Sequence, residues 1–336
     1  MFRFSFCIAA VVLAAGISTS AKAGVIVENW SIDLGGATGS KTDVISGIDR
    51  ILFNQAINHV MVSKGAGNSD PGAIQVGDTA VVRGAIRASG FEFDEFGGPI
   101  PNANLNGVAG AAGAWEMTAI FQANVEFVAD VFGVTGFVHT GGPDTFLKLF
   151  VDEYSDPLGG DRANTFTGLG FNDGDLVAAF NDTVTGFINP FSFTSLDGSD
   201  VAVFNFDKAA SAGATTGIIF DAAGNDLVAN ALSSPEVSPF LNGLKTNEDF
   251  FRVLPTVIVD NWSTVAGQFG PSGWASVFAG AVLPTDNNDP LNFFTLGNGA
   301  ASLSIIPEPA SLITWAGLSV FVAGGLIRRR RQKSSV

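Results

Sequence analysis

The chain has 336 residues, 17 of them basic and 32 acidic, for a formal net charge of −15 at pH 7. An acidic surface of that size repels nucleic acid phosphates and anionic lipid headgroups, so DNA and RNA are not expected partners. Cys7 is the only cysteine, which excludes a disulfide framework within the chain.

The first predicted element is a leader. Arg3 carries a positive charge, an apolar stretch covers residues 6–17, and Ala21-Lys22-Ala23 follows with small side chains at the two positions that a signal peptidase pocket restricts. Residues 1–23 are therefore expected to form a signal peptide, with Gly24 as the mature N-terminus and Cys7 lost on cleavage. An apolar run of about a dozen residues is too short to span a bilayer, which takes roughly 20.

Residues 24–304 are expected to form a β-rich extracellular domain. They supply most of the 41 glycines and 30 phenylalanines, while charged residues make up only 15% of the chain, a strand-and-turn composition. Probing for period two gives its clearest match at 115–128. There Trp115, Met117, Ala119, Phe121, Ala123, Val125 and Phe127 point one way, and Glu116, Thr118, Gln122, Asn124 and Glu126 the other. Further strands are expected at 25–32, 79–88, 133–139, 145–152, 175–180, 201–207, 216–221, 257–262 and 274–282. Segment 49–62 is open between strand and helix, because Ile51, Leu52, Ile57 and Val60 also line a helix face. Many short strands separated by turn residues predict an all-β fold, a large β-sandwich or jelly-roll-like ectodomain. Setting aside Arg3, Lys22, Lys333, the four tail arginines and Glu308 leaves 10 basic and 31 acidic residues, so this domain is near −21.

Val25-Ile-Val-Glu-Asn-Trp-Ser31 recurs as Val257-Ile-Val-Asp-Asn-Trp-Ser263. Without a sustained period this predicts two strands in equivalent places, each ending in a core tryptophan, and not a solenoid. Both copies contain Asn-x-Ser and 181–183 contains Asn-x-Thr, which makes Asn29, Asn181 and Asn261 formal glycosylation acceptors.

Side chains for catalysis are sparse. His59 and His139 are the only histidines and neither has a second ligand at a metal spacing. In the glycine-rich segment 35–42, Ser40 separates the glycine from Lys41, which departs from a phosphate-binding loop. Glu92, Asp94 and Glu95 are the nearest acidic cluster and read as a solvated strand end. The Asp/Asn/Gly segments at 156–161, 172–175, 197–200, 221–226 and 286–289 read as tight turns in preference to Ca²⁺ loops, since none matches the Asp-x-Asp-x-Asp-Gly pattern. No catalytic residue, metal ligand or cofactor is assigned.

The last element is the tail, 305–336. Pro307-Glu308-Pro309 precedes an uncharged run at 311–327, and Arg328, Arg329, Arg330, Arg331 and Lys333 follow it within the basic segment 328–333. As a helix the run would be roughly 26 Å long, enough to cross a hydrocarbon layer of roughly 30 Å. The arginines place the end of the chain in the cytoplasm and the domain outside, and the prolines hold an extended strip before the helix. These three features in this order resemble the PEP-CTERM sorting signal of exopolysaccharide-producing Gram-negative bacteria. The resemblance implies recognition of the tail by an exosortase, an inner-membrane intermediate, and release to the cell surface or extracellular matrix. More weakly, segments 117–121, 150–154, 174–180 and 221–227 resemble flocculation-associated PEP-CTERM proteins, which implies a non-enzymatic role with exopolysaccharide in biofilm or floc formation. A secreted polysaccharide hydrolase and a Ca²⁺-dependent adhesin are the alternatives.

Overall fold

The computed structural model describes residues 25–34, 44–93, 98–100, 105–106, 114–129, 135–153, 170–182, 202–233, 243–246, 274, 277–278, 289 and 291–305. In chain order these form β1 (Val25–Ile26), β2 (Trp30–Asp33), β3 (Val44–Ile48), β4 (Arg50–Ser63), β5 (Thr79–Glu92), β6 (Pro99–Ile100), β7 (Trp115–Ala129), β8 (Thr135–His139) and β9 (Phe146–Glu153). They continue as β10 (Asp175–Asp182), β11 (Ala202–Phe206), β12 (Ile219–Phe220), helix α1 (Leu227–Ser233), β13 (Gly243–Thr246) and β14 (Asn292–Ile305). The expected all-β class holds.

Strand pairing closes the main sheet on itself. Starting at β4, each strand bonds antiparallel to the next in the order β4, β14, β13, β11, β10, β9, β7, β5, and β5 returns to β4. Three short strands extend the edges of this eight-strand ring: β6 beside β5, β8 beside β7, and β1 beside β14. Among the described ring strands closure leaves no long unpaired edge, and eight strands enclose a space just wide enough for side chains to fill. Inward residues such as Phe53, Ile86, Phe121, Leu149, Phe180 and Leu303 fill it, all of them buried.

A small sheet, β12-β2-β3, and helix α1 share that core. Asp226 starts the helix: its Oδ1 accepts the Val228 and Ala229 amides, both at 2.9 Å, the bonds an N-cap residue makes. Leu227, Val228 and Ala231 then turn inward. Trp30 on β2 meets Phe91 edge to face at 6.5 Å, and Phe91 stacks on Trp115 at 6.1 Å, which joins the small sheet to the ring.

Three sequence expectations change. Segment 25–32 is two strands, because Asn29 adopts φ 56° and swings the chain from the edge of β14 to the small sheet; Asn tolerates that left-handed geometry better than most residues. Segment 49–62 is strand, held on both sides by β5 and β14. Segment 274–282 does not read as strand at its described residues: the Phe278 amide bonds the Trp274 carbonyl at 2.7 Å, a helical turn. The second copy of the internal repeat, 257–263, lies outside the described residues.

Candidate functional site

The register of five ring strands lines up one row of outward side chains. Phe294 on β14 faces His59 on β4, His59 faces Arg83 on β5, Arg83 faces Gln122 on β7, and Gln122 faces Phe146 on β9. The sequence alternation assigned this face of β7 to polar residues, yet Glu116, Thr118 and Ile120 are buried. The reason is a second apolar cluster outside the ring, where Trp274, Phe278 and Phe171 cover Ala85, Ile120, Phe150 and Phe294. Trp274 stacks on Phe278 at 5.0 Å and meets Phe294 at 5.3 Å, and Phe278 stacks on Phe146 at 6.4 Å.

Polar atoms are held within that aromatic frame. The His59 ring lies on Phe294 at 4.9 Å, and its Nε2 is 2.7 Å from Asn292 Oδ1. Because Oδ1 only accepts, Nε2 carries the proton and Nδ1 is left as an acceptor. Burial pushes the imidazole down to about 4; the Asn292 bond opposes this and the charge of Arg83 adds to it. Arg83 donates from Nε to Gln122 Oε1 at 2.8 Å, and Gln122 in turn donates from Nε2 to the Asp144 carbonyl at 2.9 Å. Burial also lowers the Arg83 guanidinium from its ordinary value. His59 Nδ1, Arg83 Nη1 and Trp274 Nε1 are buried without hydrogen-bond partners among the described residues. Lys148, two residues on from Phe146, sits 5.3 Å from the centre of the Phe146 ring, a cation–π distance.

Other ionic groups are committed. Arg50 pairs with Glu92 at 2.7 Å, Lys64 with Asp78 at 2.6 Å, and Arg87 lies 4.0 Å from Glu116. Burial would raise the Asp78 carboxyl, but donors from Lys64, the Gly65 amide, Asn68 and the Gln75 amide hold it well below the usual carboxylate range. Asp78 thereby pins the 64–78 loop.

Among the sequence-derived candidates, Ala21, Ala23, Gly24, Asn261, Pro307, Glu308, Pro309 and Arg328 to Arg331 lie outside the described residues, as do Asp94 and Glu95. Asn29 is an exposed corner and Asn181 is exposed on β10. His139 is buried near Phe137 and Phe204, at 6.0 and 6.4 Å, and pairs with the core residue Val125, apart from the outward row. The 221–226 segment is a turn whose Asp221 carboxylate accepts the Ala223 and Asn225 amides and the Asn225 side chain. Among the described residues no group of three His, Cys, Asp or Glu side chains is placed to hold a metal, and no helix is long and apolar enough to cross a membrane. The outward row escaped the sequence because its members lie on five strands; no local signal joins His59 to Phe294.

Searches for known relatives find no matching family model, no matching curated protein and no matching solved structure.

Proposed function

We propose that the chain is an exported, exosortase-sorted protein of the surface or extracellular matrix of a Gram-negative bacterium, acting without catalysis in exopolysaccharide-associated aggregation. The observation that carries this proposal is the tail itself: Pro307-Glu308-Pro309, the uncharged run 311–327 and Arg328 to Arg331 in fixed order. The leader ending at Ala23 supports export. Signal peptidase and the exosortase are processing partners, the inner membrane holds the precursor through the C-terminal helix, and exopolysaccharide is the working partner.

A plain anchor needs only the span and its arginines, whereas a recognition strip needs the prolines to stay extended and Glu308 to be read. Pro307→Ala, Glu308→Ala and Pro309→Ala together are expected to trap full-length protein in the inner membrane and reduce cell aggregation, with the β domain still folded. Fractionation with intact-mass measurement checks this, and normal release with normal aggregation would overturn sorting. New reducing ends after incubation with the producer's polymer would instead support the hydrolase alternative.

A further inference from the structure

The unit Val25–Ser31 is seated by contacts that can be named residue by residue. Val25 and Ile26 pair antiparallel with Ile305 and Ser304, and the Val27 amide reaches the Leu303 carbonyl at 2.8 Å. Val27 is buried in the core, Asn29 turns the corner at φ 56° while its amide donates to the Asp49 carboxylate, and Trp30 is wholly buried against Phe91. The chain carries this unit twice, and the copy at 257–263 differs only in having Asp260 where the first has Glu28. Glu28 is exposed, so the one difference falls where the seat makes no demand. The core valine, the asparagine at the left-handed corner and the buried tryptophan are offered equally by either copy. β1 is also replaceable: β4 pairs with β14 only as far as Ala301, and the last residues of β14 rely on this two-residue strand instead. Short strands near a chain end open at low free energy, and an opened strand edge recruits another extended segment.

We propose that the protein assembles with itself by strand exchange, segment 257–263 of one copy taking the seat on β14 of a second copy in place of that copy's own Val25–Ser31. Donor and seat are different parts of the molecule, so the contact is head-to-tail and each added copy brings a further donor and a further seat. The product is an open-ended array, which suits a matrix protein, although the exchange does not depend on the sorting tail. Like contacts replace like, so the cost of exchange is the loss of the tether. Residues 25–31 are held beside their own seat at an effective concentration on the order of millimolar, and assembly sets in as the protein becomes crowded toward that level.

The test uses full-length protein in mild detergent with Cys7→Ser throughout. Two singly substituted forms, Val257→Cys and Ile305→Cys, are mixed and oxidised, and the linked peptides are identified by mass. Each form holds one thiol, so any 257–305 link joins two copies. Seated as Val25 is, residue 257 lies opposite residue 305 of its partner, within disulfide reach. The 257–305 link should exceed the 257–257 and 305–305 links at least tenfold and should grow with protein concentration. The same substitution at the two copies should act oppositely, because valine resists the left-handed corner. Asn29→Val loosens the tethered unit and should lower the concentration at which light scattering first detects assembly at least tenfold. Asn261→Val should abolish the 257–305 link, and Asp260→Lys should leave it unchanged. Melting temperatures show that each variant folds, and if Asn261→Val unfolds, Asn29→Val and the link between copies decide. Equal abundance of the three links, or an Asn29→Val protein that assembles no more readily than the unaltered one, would overturn the exchange. So would a 257–305 link that forms only within a chain carrying both substitutions, since the seat would then take its own chain's copy. None of these outcomes bears on sorting, which the Pro-Glu-Pro variants test separately.

Discussion

Asp78 shows how one side chain holds a long loop without disulfides. Its two oxygens collect Lys64 Nζ at 2.6 Å, the Gly65 amide at 2.8 Å, Asn68 Nδ2 at 2.7 Å and the Gln75 amide at 2.7 Å. Gly65 is needed there, because a Cβ at that position would strike the Gly77 carbonyl. Both oxygens accept two donors each, and a proton on either would displace that pair and remove the charge facing Lys64, so the folded pKa lies below an unfolded value near 3.9. The stabilisation is then fully present above about pH 4 and is lost as pH falls toward the folded value. Asp78→Asn should lower the melting temperature by about 5–10 °C at pH 7, since it leaves Lys64 facing a neutral amide. The gap to the unaltered protein should narrow at pH 2–3, and thermal melts across that range check it. His59 acts in a separate window. Its folded value near 4 lies below the ordinary 6.5, so what its neutral form contributes is present above pH 6.5 and lost on acidification toward pH 4. A Tm profile showing no decline between pH 6.5 and 4 would contradict that burial.

At the level of elements, β7 was the most legible part of the fold. Its alternation runs unbroken over 115–127 and its inward residues are all buried. β4 was opaque for a physical reason. The register shift at 54/57 in its pairing with β5 changes which parity faces the core, so Ile51 and Val60 both point inward although they are an odd number of residues apart. A bulge does this to any alternation test, and the result imitates a helical pattern. β14 was hidden by Gly297-Asn298-Gly299, which reads as a turn; the structure absorbs it as another register shift at 297/299. The 274–278 turn was missed because Trp274 and Phe278 are i and i+4 on a helix but also share one face of a strand. Covering the outward face is what selects the helical form. Trp274→Ala should therefore cost about 3–5 kcal/mol, the usual range for deleting a buried tryptophan. The ring's own pairing should survive, so far-UV circular dichroism should persist while the melting temperature falls. Loss of all β signal at room temperature would mean that the outer cluster is part of the ring's folding unit.

For the whole molecule, the pairing of β1 with β14 sets where the two ends of the domain emerge. Val25 lies opposite Ile305 and Ile26 opposite Ser304, and the Val27 amide continues the ladder to the Leu303 carbonyl at 2.8 Å. Ile305, placed by the sequence at the start of the tail, lies in β14. Val25, two residues after the proposed cleavage point, and Ile305, two residues before the proposed Pro-Glu-Pro strip, thus lie side by side in the sheet. If both ends begin in the membrane, the ring hangs from one pole, and the strip is held at a fixed place only after β14 has paired with β4, β13 and β1. Sorting would then act on folded protein. This geometry is open to direct measurement, since antiparallel partners have Cα atoms about 4.5–5.5 Å apart, inside the roughly 4.4–6.8 Å that a disulfide spans. Cleavage after Ala23 removes Cys7, so a Val25→Cys, Ile305→Cys protein would carry only the introduced thiols. Oxidation of the exported protein should consume both, a free-thiol assay should read none, and reduction should restore them, while each single variant keeps its thiol. Two persistent thiols in a protein with an intact β spectrum would show that the ends lie apart, and the coupling between ring closure and tail presentation would fall with them.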